Sequence, residues 1–322
     1  MTISNLKILF QNELSELYSK SEIEELVSIF CDHYLELNKV ELRFNLEKEL
    51  SESNSHQFLE AISELKTGKP FQQILGETEF FGMKFFVNDH VLIPRPETEE
   101  LLELAIRKIQ ESRFENQDFA NCLREPQTDK KYKIKASNSQ NSKLSNSQTL
   151  KFKILDIGTG SGIIPIVLKK HFPDAEVSAI DISEDALEIA RKNAEFHKTE
   201  IKFIQKDYLN EVFDSAQTDK AIYDIIISNP PYIGIEENVE IEESVKGFEP
   251  NLALFSPTSD ALIFYRKIAE DSINHLSENG MIFLEINQKL GRETLELFGN
   301  GFSEAELLKD ISGNDRIIFV RK

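Results

Sequence analysis

Apolar side chains recur at three- and four-residue intervals from residue 5 to about residue 66. Leu6, Leu9, Phe10, Leu14 and Leu17 form one stripe, and Ile23, Leu26, Val27, Phe30, Tyr34 and Leu37 form a second. Such spacing puts the apolar set on one face of a helix. Ser21 followed by Glu24 has the form of a capping box for the second stripe. Phe58, Leu59, Ile62 and Leu65 mark a further helix, stopped by Gly68 and Pro70. The pattern predicts a small helical domain over residues 1–75. From Glu79 the period changes. The run from Phe80 to Val91 is rich in aromatics with turn residues between, and predicts a hairpin linker within 76–95. Pro96 and the acids Glu97, Glu99 and Glu100 suit the start of a helix carrying Leu101, Leu102, Leu104, Ala105, Ile106 and Ile109. Arg95, between two prolines, is not explained by that start.

The remainder alternates strand and helix. Strands are expected at 152–156, 176–181, 201–205, 223–228 and 281–286, and helices near 163–171, 184–197 and 261–276. Two closing strands are expected at 304–308 and 316–320. That alternation predicts an α/β domain over 96–322, a parallel sheet with helices on both faces. Only residues 114–150 break it. Their Ser, Asn and Gln-rich sequence buries too little apolar surface to order itself, which predicts a disordered insertion.

Composition narrows the function. The 322 residues are 40% hydrophobic, and the formal net charge is −19 with a sequence pI near 4.9. So acidic a chain is a poor general binder of nucleic-acid backbones, which demand neutralised phosphates. A protein partner fits the charge better. Two cysteines, Cys31 and Cys122, make no disulfide framework, and the six histidines have no metal-ligand spacing. No metal is expected. The first residues lack the order of a signal peptide, and no run is long enough to span a membrane. A soluble, cytoplasmic protein with no membrane partner is expected.

Candidate chemistry gathers at two strand ends. Tyr223 to Ser228 reads as a buried parallel strand, and Asn229-Pro230-Pro231-Tyr232 follows it. Neither proline can donate to a ladder, and both fix φ, so the loop is stiff. It lies at the sheet edge where α/β proteins bind ligands. The Asn229 carboxamide can pair with another planar NH2 group, and the Tyr232 ring can cover it. The combination suits a weakly nucleophilic planar nitrogen.

The second cluster is Asp156-Ile157-Gly158-Thr159-Gly160-Ser161-Gly162, between a strand and a helix. Its glycines let a ligand lie on bare backbone. Asp181 ends the next strand about 20 residues on, where a carboxylate can take both hydroxyls of a ribose. Together these point to a cofactor containing adenosine. Asp156 would repel a dinucleotide pyrophosphate but suits an amino-acid ammonium, which favours S-adenosyl-L-methionine over NAD. Asp207 can take the adenine amine, and Tyr208 can cover the ring.

The two clusters resemble the class I S-adenosylmethionine-dependent methyltransferases with their Rossmann-like sheet. With the helical domain, the hairpin, Pro94-Arg95-Pro96-Glu97-Thr98-Glu99, Phe248-Glu249-Pro250 and Gly313-Asn314-Asp315-Arg316, nearly the whole chain resembles one family. It is the PrmC/HemK family, the peptide chain release factor glutamine methyltransferases. The resemblance implies that the helical domain recognises class 1 release factors. It implies methyl transfer to the side-chain amide nitrogen of the glutamine in their Gly-Gly-Gln motif. Asn229, as a catalytic residue that also adjoins the cofactor, would accept one N–H of that amide and the Pro230 carbonyl the other. Tyr232 would stack on its plane, and Gly158, Thr159, Gly160, Ser161, Gly162, Asp181, Asp207 and Tyr208 would hold the cofactor. Two alternatives compete. An adenine methyltransferase on DNA or RNA would fit the same clamp but needs a basic groove. A silent binding module would not need Asn229 or the glycine loop.

Overall fold

The computed structural model describes residues 1–122, 152–211, 222–233, 247–256 and 258–322. The chain opens with helices α1 (Ile3–Leu14), α2 (Lys20–Leu35), α3 (Lys39–Phe44), α4 (Glu52–Leu65) and α5 (Phe71–Leu75). Their stripes meet in a core of their own, centred on Phe10, Phe30 and Phe58 with Leu6, Leu14, Leu26 and Leu65. The capping box of α2 is built by Ser19 and Glu22 rather than by Ser21 and Glu24. Both pairs have the right spacing, and the earlier pair fits because the helix starts at Lys20.

A hairpin follows, β1 (Glu77–Phe80) and β2 (Met83–Phe86), antiparallel across the turn at Phe81 and Gly82. Helix α6 (Pro96–Cys122) then covers the sheet. It runs past residue 114, so the polar stretch begins inside the helix, and the rest of the expected insertion, 123–150, lies outside the described residues. The acids at the start of α6 also tie it to its surroundings. Glu99 accepts the Phe81 N–H at 2.6 Å, and Glu100 accepts the Ile311 N–H at 3.0 Å.

Strands β3 (Lys153–Ile157), β4 (Glu176–Asp181), β5 (Lys202–Gln205), β6 (Tyr223–Ser228), β7 (Leu276–Glu285), β8 (Glu304–Lys309) and β9 (Asp315–Arg321) form a seven-stranded sheet in the order β5-β4-β3-β6-β7-β9-β8. Strands β3 to β7 pair in parallel, and β9 pairs antiparallel with both β7 and β8. This is the Rossmann-like α/β sheet implied by the alternation. Helices α7 (Ile163–His171) and α8 (Glu184–His197) keep the predicted bounds. Helix α9 (Asn251–Leu254) is a single turn, and α10 (Ile263–His275) lies within the predicted 261–276. One face of the sheet packs on α6 and α7 through Leu101, Leu102, Ile166 and Val167, and the other on α10 through Tyr265 and Ile268. Among the described residues no helix is long and apolar enough to cross a membrane.

The strand order reverses at β3, which has β4 on one side and β6 on the other. A crevice opens beyond the carboxyl ends of strands at such a switch point. Asp156, Asp181 and Asn229 all come from strand ends at that crevice.

Candidate active site

A cavity of about 350 Å³ lies beyond the ends of β3, β4 and β6. Gly158, Thr159, Gly160 and Ser161 form its floor, whereas Gly162 does not line it. Gly158 and Thr159 donate their N–H groups to the Ile180 carbonyl at 2.9 and 3.0 Å, so the loop is pinned to the neighbouring strand. Gly162 has a φ of +78°, and a Cβ there would stand 2.9 Å from the Ala190 Cβ. Only glycine allows α8 to pack that closely against the start of α7. Behind the loop, the Asn193 amide donates to the Ser161 carbonyl at 2.9 Å and exchanges hydrogen bonds with the Phe86 backbone, which ties the hairpin to the floor.

Two carboxylates flank the loop. Asp181 accepts the Gly160 N–H at 2.8 Å through Oδ2 and the Ser183 N–H at 2.9 Å through Oδ1. Burial raises its pKa while those backbone donors oppose the rise. Asp156 is fully buried beneath the loop, and burial pushes its carboxyl up to about 7. The Thr159 hydroxyl beside it opposes that rise, and neither group has a further hydrogen-bond partner among the described residues. Buried polar atoms left this way cost free energy, and a donor-bearing ligand would offset that cost. Thr159 lines the cavity and Asp156 lies behind it, so an amino-acid ammonium beside the loop would meet the Thr159 hydroxyl with the Asp156 carboxyl at its back, and the residues present fit the amino-acid end of S-adenosylmethionine.

Asp207 and Tyr208 lie on the wall after β5. The Asp207 carboxylate gathers the Leu209 and Asn210 N–H groups on Oδ1, each at 3.2 Å, and the Asn210 side-chain amide on Oδ2 at 2.9 Å, which shapes the turn and leaves room for one more donor on Oδ2. Tyr208 reaches the cavity, but its ring is buried in the core, with the Lys267 ammonium 5.2 Å from its centroid. Lys206, which lines the same wall, escaped sequence reasoning. Burial lowers its pKa.

Asn229 and Pro231 line the opposite wall, whereas Pro230 and Tyr232 do not. Contacts on both sides hold the loop. The Ser228 hydroxyl donates to the Ile157 carbonyl at 2.7 Å, Asn287 Nδ2 donates to the Tyr232 carbonyl at 3.3 Å, and Ile233 forms a bridge with Phe255. Asn229 Nδ2 donates to Thr98 Oγ1 at 3.2 Å, and the Thr98 hydroxyl donates to Glu285 Oε2 at 2.7 Å. No described residue donates to Asn229 Oδ1. The Tyr232 ring packs against the core, and its hydroxyl meets the same Glu285 carboxyl. That contact turns the ring away from the cavity, so the structure brings Asn229 to the glycine loop and Asp181 but leaves Tyr232 behind the wall.

Thr98, Glu285 and Asn287 also escaped sequence reasoning. Glu285 carried a usable signal. An acid closing the apolar run Met281 to Leu284 is the same pattern that identified Asp181.

Two family models match the chain. The PrmC N-terminal domain matches residues 9–76, and the methyltransferase small domain matches residues 135–245. Curated relatives match over nearly the full length. A release factor glutamine methyltransferase of Flavobacterium psychrophilum is 41% identical, with 99% of each chain covered. One of Bacteroides thetaiotaomicron is 35% identical over 96% of each chain. One of Streptococcus pneumoniae is 36% identical over 97% of this chain and 96% of the relative.

Proposed function

The chain belongs to the release factor glutamine methyltransferase family, and we propose that its Asn229 holds the glutamine side-chain amide of a class 1 release factor at the cavity edge. The enzyme methylates that amide nitrogen, and the glutamine is the one in the Gly-Gly-Gln motif. The observation that carries the role of Asn229 is the direction of its own hydrogen bond. Its NH2 is turned to Thr98, so its Oδ1 faces the other way and is left to accept from a ligand.

S-adenosylmethionine, when bound, supplies a methyl group on a sulfonium. The loop from Gly158 to Ser161 gives it a floor that is bare backbone at Gly158 and Gly160, and Asp181 takes its ribose hydroxyls. Asp207 takes its adenine amine, with Tyr208 forming the wall behind. Thr159 accepts its ammonium, with the Asp156 carboxyl behind it. An amide nitrogen is a poor nucleophile because its lone pair is delocalised, so this site accelerates by orientation. Asn229 Oδ1 and the Pro230 carbonyl accept the two N–H bonds of the substrate amide and fix its plane. Pro230 and Pro231 keep those acceptors from moving. One N–H proton leaves to water once the nitrogen has been alkylated. Tyr232 contributes by anchoring the loop to Glu285. The helical unit 1–75 and the acidic surface suit a protein substrate, with no stable nucleic-acid complex.

The test is transfer of labelled methyl to a purified release factor, to the same factor with its Gly-Gly-Gln glutamine replaced, and to adenine-containing DNA. Transfer to the first alone is expected. Equal labelling of the replaced factor, or preference for DNA, overturns the reading.

A further inference from the structure

A hydroxyl has one proton, and at Thr98 it is already given to Glu285 Oε2 at 2.7 Å. The Thr98 oxygen can then only accept from the Asn229 amide, which must turn its NH2 toward Thr98, as it does at 3.2 Å. The far end of that amide is therefore Oδ1. We propose that Glu285, acting through Thr98, fixes which end of the Asn229 amide faces the substrate, so that Thr98 and Glu285 are positioning residues for methyl transfer. The inference rests on the reading that Asn229 Oδ1 accepts a substrate N–H.

The surroundings of Glu285 support the direction of this chain. Glu285 ends β7, 1% exposed. Thr98 and Glu97 face it from the start of α6, Tyr232 from the loop after β6, and Arg316 from β9. Arg316 is in turn paired with Asp310. From α10, the Tyr265 hydroxyl donates to the Glu285 main-chain carbonyl at 3.1 Å. Two hydroxyls and a guanidinium around one carboxyl favour its ionised, accepting form. Burial opposes them and is the largest influence, pushing the carboxyl up to about 7.

Protonation reverses the chain. A Glu285 carboxylic acid donates to Thr98, and the freed Thr98 hydroxyl donates to Asn229. The amide then rotates to present Oδ1 to Thr98 and NH2 to the substrate. Two NH2 groups face each other, and the substrate amide loses its acceptor.

The experiment measures kcat and KM across pH 5.5 to 8.5, with saturating cofactor and purified release factor, for wild type, Thr98→Val, Thr98→Ser, Glu285→Gln and Asn229→Ala. Binding of S-adenosylhomocysteine is measured by calorimetry alongside. Wild-type kcat is expected to fall as pH is lowered through about 7. Thr98→Val should lose about a hundredfold in kcat, the scale of a misplaced orienting group, with KM and S-adenosylhomocysteine binding kept. Thr98→Ser should restore turnover, because it keeps the hydroxyl. Glu285→Gln should be slow and lose the limb near pH 7. Wild-type turnover in Thr98→Val, equal losses in the Ser and Val variants, or an unchanged pH limb in Glu285→Gln overturns the inference while Asn229→Ala stays inactive. Activity in Asn229→Ala instead overturns the reading beneath it, and this inference with it.

Discussion

Arg95 and Glu249, 154 residues apart, form an ion pair in which the Glu249 side chain is almost wholly buried. The second Glu249 oxygen accepts the Ile93 N–H at 3.0 Å. Next to it, Gln73 of the helical unit donates to the Phe248 carbonyl at 2.8 Å. Pro250, Leu252, Ala253 and Phe255 of the following residues line the cavity. One short segment therefore touches α5, the linker before α6 and the site. Arg95, unexplained by its place before a helix, is the counterion that makes this segment possible.

Removing one partner of such a pair leaves an uncompensated buried charge, which costs about 3–5 kcal/mol. Arg95→Ala is expected to lower unfolding stability at the lower end of that range, since its own side chain is half exposed. Urea denaturation checks this. A change below about 1 kcal/mol, the size of an ordinary surface ion pair, would mean that the pair does not hold the segment.

Gly162 offers a second test. A Cβ there meets Ala190 at 2.9 Å on a left-handed backbone. Gly162→Ala should cost about 1–3 kcal/mol through strain and overpacking, and S-adenosylhomocysteine affinity should fall because the loop must shift. Gly301 also has a positive φ, but nothing stands within 4 Å of an added Cβ, so Gly301→Ala should show the strain alone. If the two variants lose the same stability and affinity, packing at Gly162 is not what shapes the loop.

On the proposed cofactor site, Asp156 should couple stability to cofactor affinity. Its carboxyl is raised to about 7 when folded, against roughly 4 in an unfolded chain. The native state thus keeps a proton between pH 4 and 7 that the unfolded state has lost. Its contribution to stability is full below about pH 4 and disappears as the pH rises through 7. Asp156→Asn should therefore stabilise the free protein at pH 8, by about 4 kcal/mol. The same change should weaken S-adenosylhomocysteine. Wild-type affinity should fall as pH is lowered through about 7, because the carboxyl behind the ammonium becomes neutral. Thermal unfolding and calorimetry check both. An affinity independent of pH and of Asp156→Asn would break the assignment.

Much of the fold was legible because period and burial agree. Tyr223–Ser228 and Glu176–Asp181 are strands between α/β helices, and their apolar runs leave little choice of structure. Asn229, Asp181 and the glycines could be found because their spacing is local. Thr98, Glu285 and Glu249 could not be paired from sequence, since their partners are 131 to 187 residues away. Tyr232 stands off the cavity for a related reason. The loop was readable, but the buried carboxyl that captures its hydroxyl lies on another strand. The cap at Ser19 shows the local limit, where two overlapping patterns fit and only the helix start decides.

Asn229 carries the sharpest prediction. Asn229→Ala should abolish methylation while the cofactor product still binds, because the residue acts on the nitrogen that receives the methyl group. Losing an orienting partner in a preorganised site costs roughly 2.7–4 kcal/mol in the barrier, or about a hundredfold to a thousandfold in rate. Asn229→Asp should fail as well. Its carboxylate could accept the substrate N–H, but it cannot donate to Thr98, whose proton already goes to Glu285. It also sets a second carboxylate beside a buried one. Tyr232→Phe should be milder, since it removes one of the two hydroxyls on Glu285 and leaves the Asn229–Thr98 bond intact. Single-turnover transfer to a release factor, with product binding measured on each variant, separates these outcomes. Wild-type turnover in Asn229→Ala would refute the clamp, and Tyr232→Phe as inactive as Asn229→Ala would place the ring, not the amide, at the centre of the reaction.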